Sequence, residues 1–397
     1  MLKNISFVSL AFLYSNILGY IFHFYVSRKL GPVLYGEFMV LYSLMLTIFN
    51  LCGILGTVAV KFLVESKDGE KVFNYFRRLG VITGFIISIV GVVISPYLQK
   101  LLKIDKIYYF LPVSAAWLLA FIVTIERSYL QANNRFGKLS LSSALELTMR
   151  LVFVIGVLNF GIKLFGVLMA SVVGLIASLL YLFVENRIKV KIKFKQDIPF
   201  KRILITAAYI SPAGFLLYAD TLFIRRIFDS YTAGIFSSIS IFGKAVALFC
   251  ISAFTVLFPV FVKFKESDKR KLYILLIKAL IFLTFYFIIV ELVIFLCGKE
   301  IYNIAFGKKF SIGFSYLWIY IASMYPLTLS ILFINVLTAI QKFISVIYIH
   351  LFLVYGLFMF FMIIKPVSVY HYIISYLILN FMCMLTYITY IFKINDA

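Results

Sequence analysis

Polar stretches are short and few in this chain of 397 residues. They leave no room for a soluble domain, so the net charge of +22 finds no surface on which to suggest nucleic-acid binding. Acidic residues are scarce, 16 against 38 Lys and Arg. Cysteine is limited to Cys52, Cys250, Cys297 and Cys383, all inside or at the ends of apolar runs. These have neither metal-ligand spacing nor the look of an extracellular disulfide framework, and are expected to be packing residues. The three histidines, His23, His350 and His371, are scattered and suggest no proton relay. A phosphate-binding glycine loop, a metal cluster and a Ser/His/Asp arrangement are all missing, and no cofactor is expected. The first apolar run, Ile5 to Val26, is too long for a secretory h-region and lacks a small-residue cleavage site. It is expected to stay as a first helix.

What fills the chain instead is apolar sequence. It is 63% hydrophobic, with a mean hydropathy of +1.05, where soluble domains are about 45–50% apolar. A bilayer crossing takes roughly 20 apolar residues, and such runs follow one another almost without pause. They are continuous rather than alternating with period two, which excludes a β-barrel. The expectation is an all-α polytopic membrane protein of about twelve spans: 5–26, 38–60, 79–99, 107–130, 140–160, 163–185, 203–224, 232–262, 272–297, 313–340, 343–364 and 369–392. The fifth and sixth are separated by little more than Gly161, and the tenth holds Pro326. With the N-terminus inside, loop Lys and Arg favour the inner side about two to one, which puts both termini in the cytoplasm.

The longest polar connection, NRIKVKIKFKQDIPFKR from Asn186 to Arg202, falls near mid-chain on the inner side. It divides the chain into a six-helix lobe at 1–185, a basic linker at 186–202 and a second six-helix lobe at 203–397. The linker is suited to lie on anionic lipid. The halves also repeat each other. Arg28-Lys29-Leu30 matches Arg225-Arg226-Ile227, and Tyr35-Gly36-Glu37-Phe38 falls near Tyr231 and on Gly234-Ile235-Phe236. LQANNRF (Leu130–Phe136) meets LTAIQKF (Leu337–Phe343) without a gap. Both pairs lie about 200 residues apart, and each closes equivalent spans on the same side. This predicts two lobes related by a pseudo-two-fold axis along the membrane normal, a transporter architecture.

The phrase LGPVLYGEF after the first span resembles the LGPxxYG signature of Wzx-type polysaccharide flippases. YADTLFIRRIFDSYTAGIFSSISIFGKAVAL (Tyr218–Leu248) and LQANNRFGKLS are similar to further regions of that family. The family belongs with lipid II flippases and multidrug antiporters. The resemblance implies a V-shaped pair of lobes around a central, often cationic cavity, though at 397 residues this chain is short for the family. The implied function is a monomeric, non-enzymatic exporter in the cytoplasmic membrane. It carries polyprenyl-diphosphate-linked oligosaccharide to the outer leaflet for cell-surface polysaccharide such as O-antigen. Its implied partners are that lipid, the membrane lipids and other polysaccharide assembly proteins. A cation-coupled antiporter of the same fold and a membrane glycan polymerase or ligase are the alternatives.

An ionisable group at mid-bilayer costs at least ~2.5–3.5 kcal/mol and needs a reason. Lys244, deep in the eighth span with no acid three or four residues away, is the leading candidate for contact with a diphosphate or acidic sugar. A structural pair with Asp220 or Glu146 on another helix is the alternative. Glu146 and Arg150 are spaced for an i,i+4 pair that still faces the bundle interior. Asp220 is expected to pair with Arg225, Lys244 or the other lobe, or to carry a coupling ion. Arg28, Lys29, Arg225 and Arg226 are placed to gate the outer end or receive the emerging diphosphate, or are simply solvated loop ends. Glu126 and Arg127, adjacent and unable to face each other, are expected at the inner interface. Lys278 is expected to snorkel and Glu291 to behave as a weaker Asp220. A few of the 27 tyrosines are expected to stack on sugar faces, without the sequence saying which.

Overall fold

The computed structural model describes residues 2–66, 68–186, 217–218, 220–267, 269–340, 352, 356 and 366–393. Among them there are long helices and no strands. In chain order these are α1 (Leu2–Glu65), α2 (Gly69–Leu102), α3 (Phe110–Ala132), α4 (Phe136–Asn159), α5 (Leu164–Asn186), α6 (Ser230–Ser267), α7 (Lys269–Phe306), α8 (Phe314–Ile340) and α9 (Val369–Lys393). Nine stretches of the described residues are long and apolar enough to cross a bilayer. The protein is a multi-pass membrane protein. Nearly all of the predicted span 343–364 and of the linker, and most of 203–224, lie outside the described residues.

The first two predicted spans are two helical arms of one stretch, α1. α1 runs through both and bends once, at Gly31, whose φ of 71° is open to glycine but strained for other residues. Pro32 follows, its fixed φ suited to the first position of the second arm. The phrase between the spans is therefore a sharp turn that brings the two arms together, with the Phe22 and Phe38 ring centroids 6.0 Å apart and those of His23 and Tyr42 5.2 Å apart. Its counterpart in the second half is built differently. The helix through 220–227 stops, and Asp229 caps the start of α6 by accepting from the Thr232 amide at 3.0 Å. The bonds from Thr232 hold the Asp229 carboxyl below its ordinary range. α4 and α5 turn tightly through Phe160–Lys163, as the short spacing predicts, and α8 passes through Pro326 without ending.

The chain divides into two compact units, Met1–Ser211 and Pro212–Ala397. In the first, α3 is the central helix, packed against α1, α2 and α5. In the second, α8 takes that place, packed against α6, α7 and α9. Each central helix follows a short 3₁₀ turn, Ile107–Tyr109 or Lys308–Gly313. These are the fourth and tenth predicted spans, the two that end in the matched phrases LQANNRF and LTAIQKF. Their burial is alike as well, with Leu130 and Leu337 both in the core. At the first pair of phrases the correspondence is partial: Phe38 and Phe236 are both buried, and Lys29 and Arg226 are both exposed. Tyr35 is fully buried while Tyr231 is exposed, and Arg28 is exposed while Arg225 is buried.

Close packing brings polar side chains together inside the first unit. A Cβ on Gly174 of α5 would stand 2.5 Å from the Glu146 carbonyl oxygen and 3.3 Å from Arg150 Cβ. Only glycine lets α5 approach α4 this closely. Backbone cannot yield as a flexible side-chain end does, so Gly174→Ala should destabilise the unit by about 1–3 kcal/mol. A fall in the melting temperature of the purified protein, with the Gly19→Ala control unchanged, is the expected outcome; Gly19 has open space around its Cβ position.

Candidate functional site

Among the described residues each unit holds a buried cluster of charge centred on one carboxylate, Glu146 or Asp220, and these two clusters differ in balance. In the first unit Glu146 and Arg150 lie one turn apart on α4, and Glu146 Oε1 accepts from Arg150 Nη2 at 2.9 Å. The other oxygen of the same carboxylate accepts from Arg127 Nη2 of α3, also at 2.9 Å. Arg127 also donates to Ser142 of α4 at 3.0 Å and to Ser178 of α5 at 3.1 Å. Arg150 donates to the Tyr42 hydroxyl of α1 at 3.2 Å and lies 5.9 Å from the Phe22 ring centroid. Among the described residues two guanidinium groups thus share one carboxylate, and the cluster keeps a surplus positive charge. Arg150 is 4% exposed, and its Nε–H is buried with no partner among the described residues. A donor left unpaired away from water typically costs about 1–3 kcal/mol.

Glu126 turns the other way from Arg127, because neighbours on a helix do not share a face. It pairs with Arg77 of α2 and accepts from Asn186 Nδ2 of α5 at 2.7 Å. Both residues lie near the end of α3, Glu126 is fully buried, and both tie α3 to its neighbours. Arg135 and Lys138 converge on Glu185 nearby, Arg135 at 2.9 Å.

The second unit's cluster is balanced. Lys244 lies 14 positions into α6, about 21 Å along the helix. It is not unpaired. Its Nζ donates to Asp220 Oδ1 at 2.8 Å and to Thr221 Oγ1 at 3.2 Å, and lies 5.4 Å from the Tyr218 ring centroid. The second Asp220 oxygen accepts from Tyr320 of α8 at 2.6 Å and from Ser240 of α6 at 3.0 Å. Tyr372 of α9 donates to the Asp220 carbonyl at 2.6 Å. Asp220 is completely buried and Lys244 is 6% exposed. The pair named as the alternative for Lys244 is the one that forms. Sequence spacing could not reveal it, since the partners are 24 residues apart on different helices.

The remaining candidates separate. Arg28 and Lys29 are exposed near the kink, and Lys29 Nζ donates to Asn159 Oδ1 of α4 at 3.3 Å. Arg225 is buried and donates to the Phe228 carbonyl at 3.5 Å, while Arg226 is exposed. Lys278 is exposed, and one Glu291 oxygen is buried without a partner among the described residues. Arg127, Tyr42, Tyr320 and Ser240 are cluster members that sequence reasoning missed. Nothing in their local spacing marks them.

Residues 1–265 match the model of a family described as polysaccharide biosynthesis protein. An uncharacterized membrane protein of Methanocaldococcus jannaschii is 26% identical over 298 residues, covering 68% of this chain and 69% of its own length. Among solved structures, an inward-facing multidrug resistance MATE family transporter of the MOP superfamily superposes with a TM-score of 0.79 at 13% identity. That match covers 95% of this chain and 93% of the transporter. The lipid II flippase MurJ in an inward closed conformation gives a TM-score of 0.74 at 16% identity, covering 97% and 87%. At these identities the structural likenesses establish a shared fold.

Proposed function

The chain belongs to the polysaccharide biosynthesis protein family, and from that premise we propose that it is a flippase for saccharides carried on a polyprenyl diphosphate, working by alternating access. The observation that carries this reading is the surplus guanidinium charge where Arg127 and Arg150 share Glu146. A buried, incompletely paired cation favours an anionic ligand over a cationic drug. A diphosphate offers the oxygens to meet it. Arg150, with an unpaired Nε–H and a neighbouring hydroxyl, is the residue suited to contact the diphosphate. Asp220 and Lys244 neutralise each other and hold the second unit together.

In the orientation favoured by the loop cations, both termini are cytoplasmic and the protein sits in the cell membrane. The saccharide head, too polar to cross unaided, enters from the cytoplasmic leaflet, and the polyprenyl tail stays in lipid. An inside-negative potential favours outward movement of the anionic head by roughly 2.3 kcal/mol per charge per 100 mV. The chain itself makes or breaks no covalent bond in this scheme.

The test is removal of the chromosomal copy. Cells without it should accumulate sugar-bearing lipid in the inner leaflet and lose surface polysaccharide, and a plasmid copy should restore both. Unchanged surface polysaccharide with unchanged lipid-linked intermediates would overturn the reading.

A further inference from the structure

The seam between α1 and α4 carries polar and aromatic groups over a length that packing alone does not call for. Tyr14 lies in the middle of the first apolar run, 45% exposed, with its hydroxyl 3.0 Å from Thr148 Oγ1 of α4. Asn16 beside it is also exposed, and Ser15 is half-buried. Eleven residues further along α1, about 16 Å at 1.5 Å per residue, Tyr25 donates to Asn159 Oδ1 of α4 at 3.2 Å. Between these two rungs stands Arg150 with Tyr42. Tyrosines concentrate at the two membrane surfaces, where ring and hydroxyl each find a suitable medium. Tyr25 near the kink fits that rule. Tyr14 and Asn16 do not, because an exposed amide and phenol at mid-span are unfavourable against hydrocarbon.

We propose that this seam is a saccharide track, with Tyr14 and Tyr25 as stacking plates and Thr148 and Asn159 as hydrogen-bonding partners for sugar hydroxyls. The ligand class is a neutral pyranose chain. A sugar ring presents an apolar C–H face that suits an exposed aromatic ring, and a rim of hydroxyls that suits side chains able both to donate and to accept. Arg150 lies along the same seam, so a diphosphate held there leaves its attached sugars within reach of both rungs. The inference rests on the flippase reading and adds to it which aromatics the sugar meets.

Cysteine labelling tests it in a full-length Cys297→Ala background, since Cys297 is the exposed native thiol while Cys52, Cys250 and Cys383 are buried. Tyr14→Cys should react with a charged, water-soluble maleimide in membranes, and Ile89→Cys on the exposed apolar face of α2 should not. Labelling at position 14 should slow several-fold in vesicles enriched with lipid-linked saccharide, relative to vesicles enriched with the same polyprenyl diphosphate lacking sugar. Thr148→Cys, across the seam, should behave alike and serves if Tyr14→Cys does not accumulate. Failure of positions 14 and 148 to label would place them against lipid and overturn the track. Equal slowing by the sugar-free lipid would overturn it too, by making the seam a tail site. Both results are separate from the flippase reading, which stands or falls on whether loss of the gene blocks export.

Discussion

Lys244→Met alone should leave little folded protein in the membrane, and adding Asp220→Asn should bring most of it back. The single change strips a completely buried carboxylate of its cation. Breaking a buried pair from one side typically costs about 3–5 kcal/mol, a large part of the ~5–15 kcal/mol that holds a domain together. The carboxylate would keep Tyr320 and Ser240 as donors, but a neutral donor does not replace a charge. In the double variant no charge is left, and the amide oxygen that replaces the carboxylate still accepts from Tyr320 and Ser240. Replacing both members of a buried pair with groups of similar shape is often neutral. Melting temperature in detergent and membrane abundance measure the cycle. A double variant as unstable as the single one would show that the charges themselves are required. A double variant that is stable yet cannot export would return Lys244 to the substrate path.

The contrast between these clusters shows what the sequence could and could not disclose. Spans were legible because hydrocarbon imposes long apolar runs on any helix that crosses it. Glu146 and Arg150 were legible as a pair because they sit one turn apart on one helix. Lys244 looked alone because its acid lies on another helix, and local spacing carries no information across helices. The partner of Arg127 was hidden for the same reason. Its carboxylate is 19 residues away, beyond a turn. The turn at Gly31 was legible as punctuation between two spans, since Gly-Pro suits the start of a new helical arm. The repeat was legible as order and only in part as environment. Leu130 and Leu337 occupy like places in the core, while Arg28 and Arg225 do not share exposure. Phrases that end central helices are held to their role by packing; phrases at the periphery are free to be rebuilt.

Arg150→Met should keep the protein folded and abolish export, whereas Glu146→Gln should lose the fold. The asymmetry follows from two arginines sharing one carboxylate. Removing Arg150 leaves Arg127 and Glu146 as a neutral pair, with Arg127 still bonded to Ser142 and Ser178. The methionine fills much of the vacated volume beside Phe22 and Tyr42. What disappears is the surplus charge and the unpaired Nε–H. If these meet the diphosphate, export should fall at least tenfold, the equivalent of one charge-assisted hydrogen bond of roughly 1.5–3 kcal/mol. Removing the Glu146 charge instead leaves two buried guanidinium groups facing a neutral amide, with a penalty of about 3–5 kcal/mol by the reasoning applied to Lys244. Surface polysaccharide measured at equal membrane abundance separates the outcomes. Full export by Arg150→Met would mean that the surplus charge serves no ligand. Wild-type stability of Glu146→Gln would mean that water or another acid already balances the pair of arginines. Loss of export by Arg150→Met at normal abundance would place the anion on the first unit.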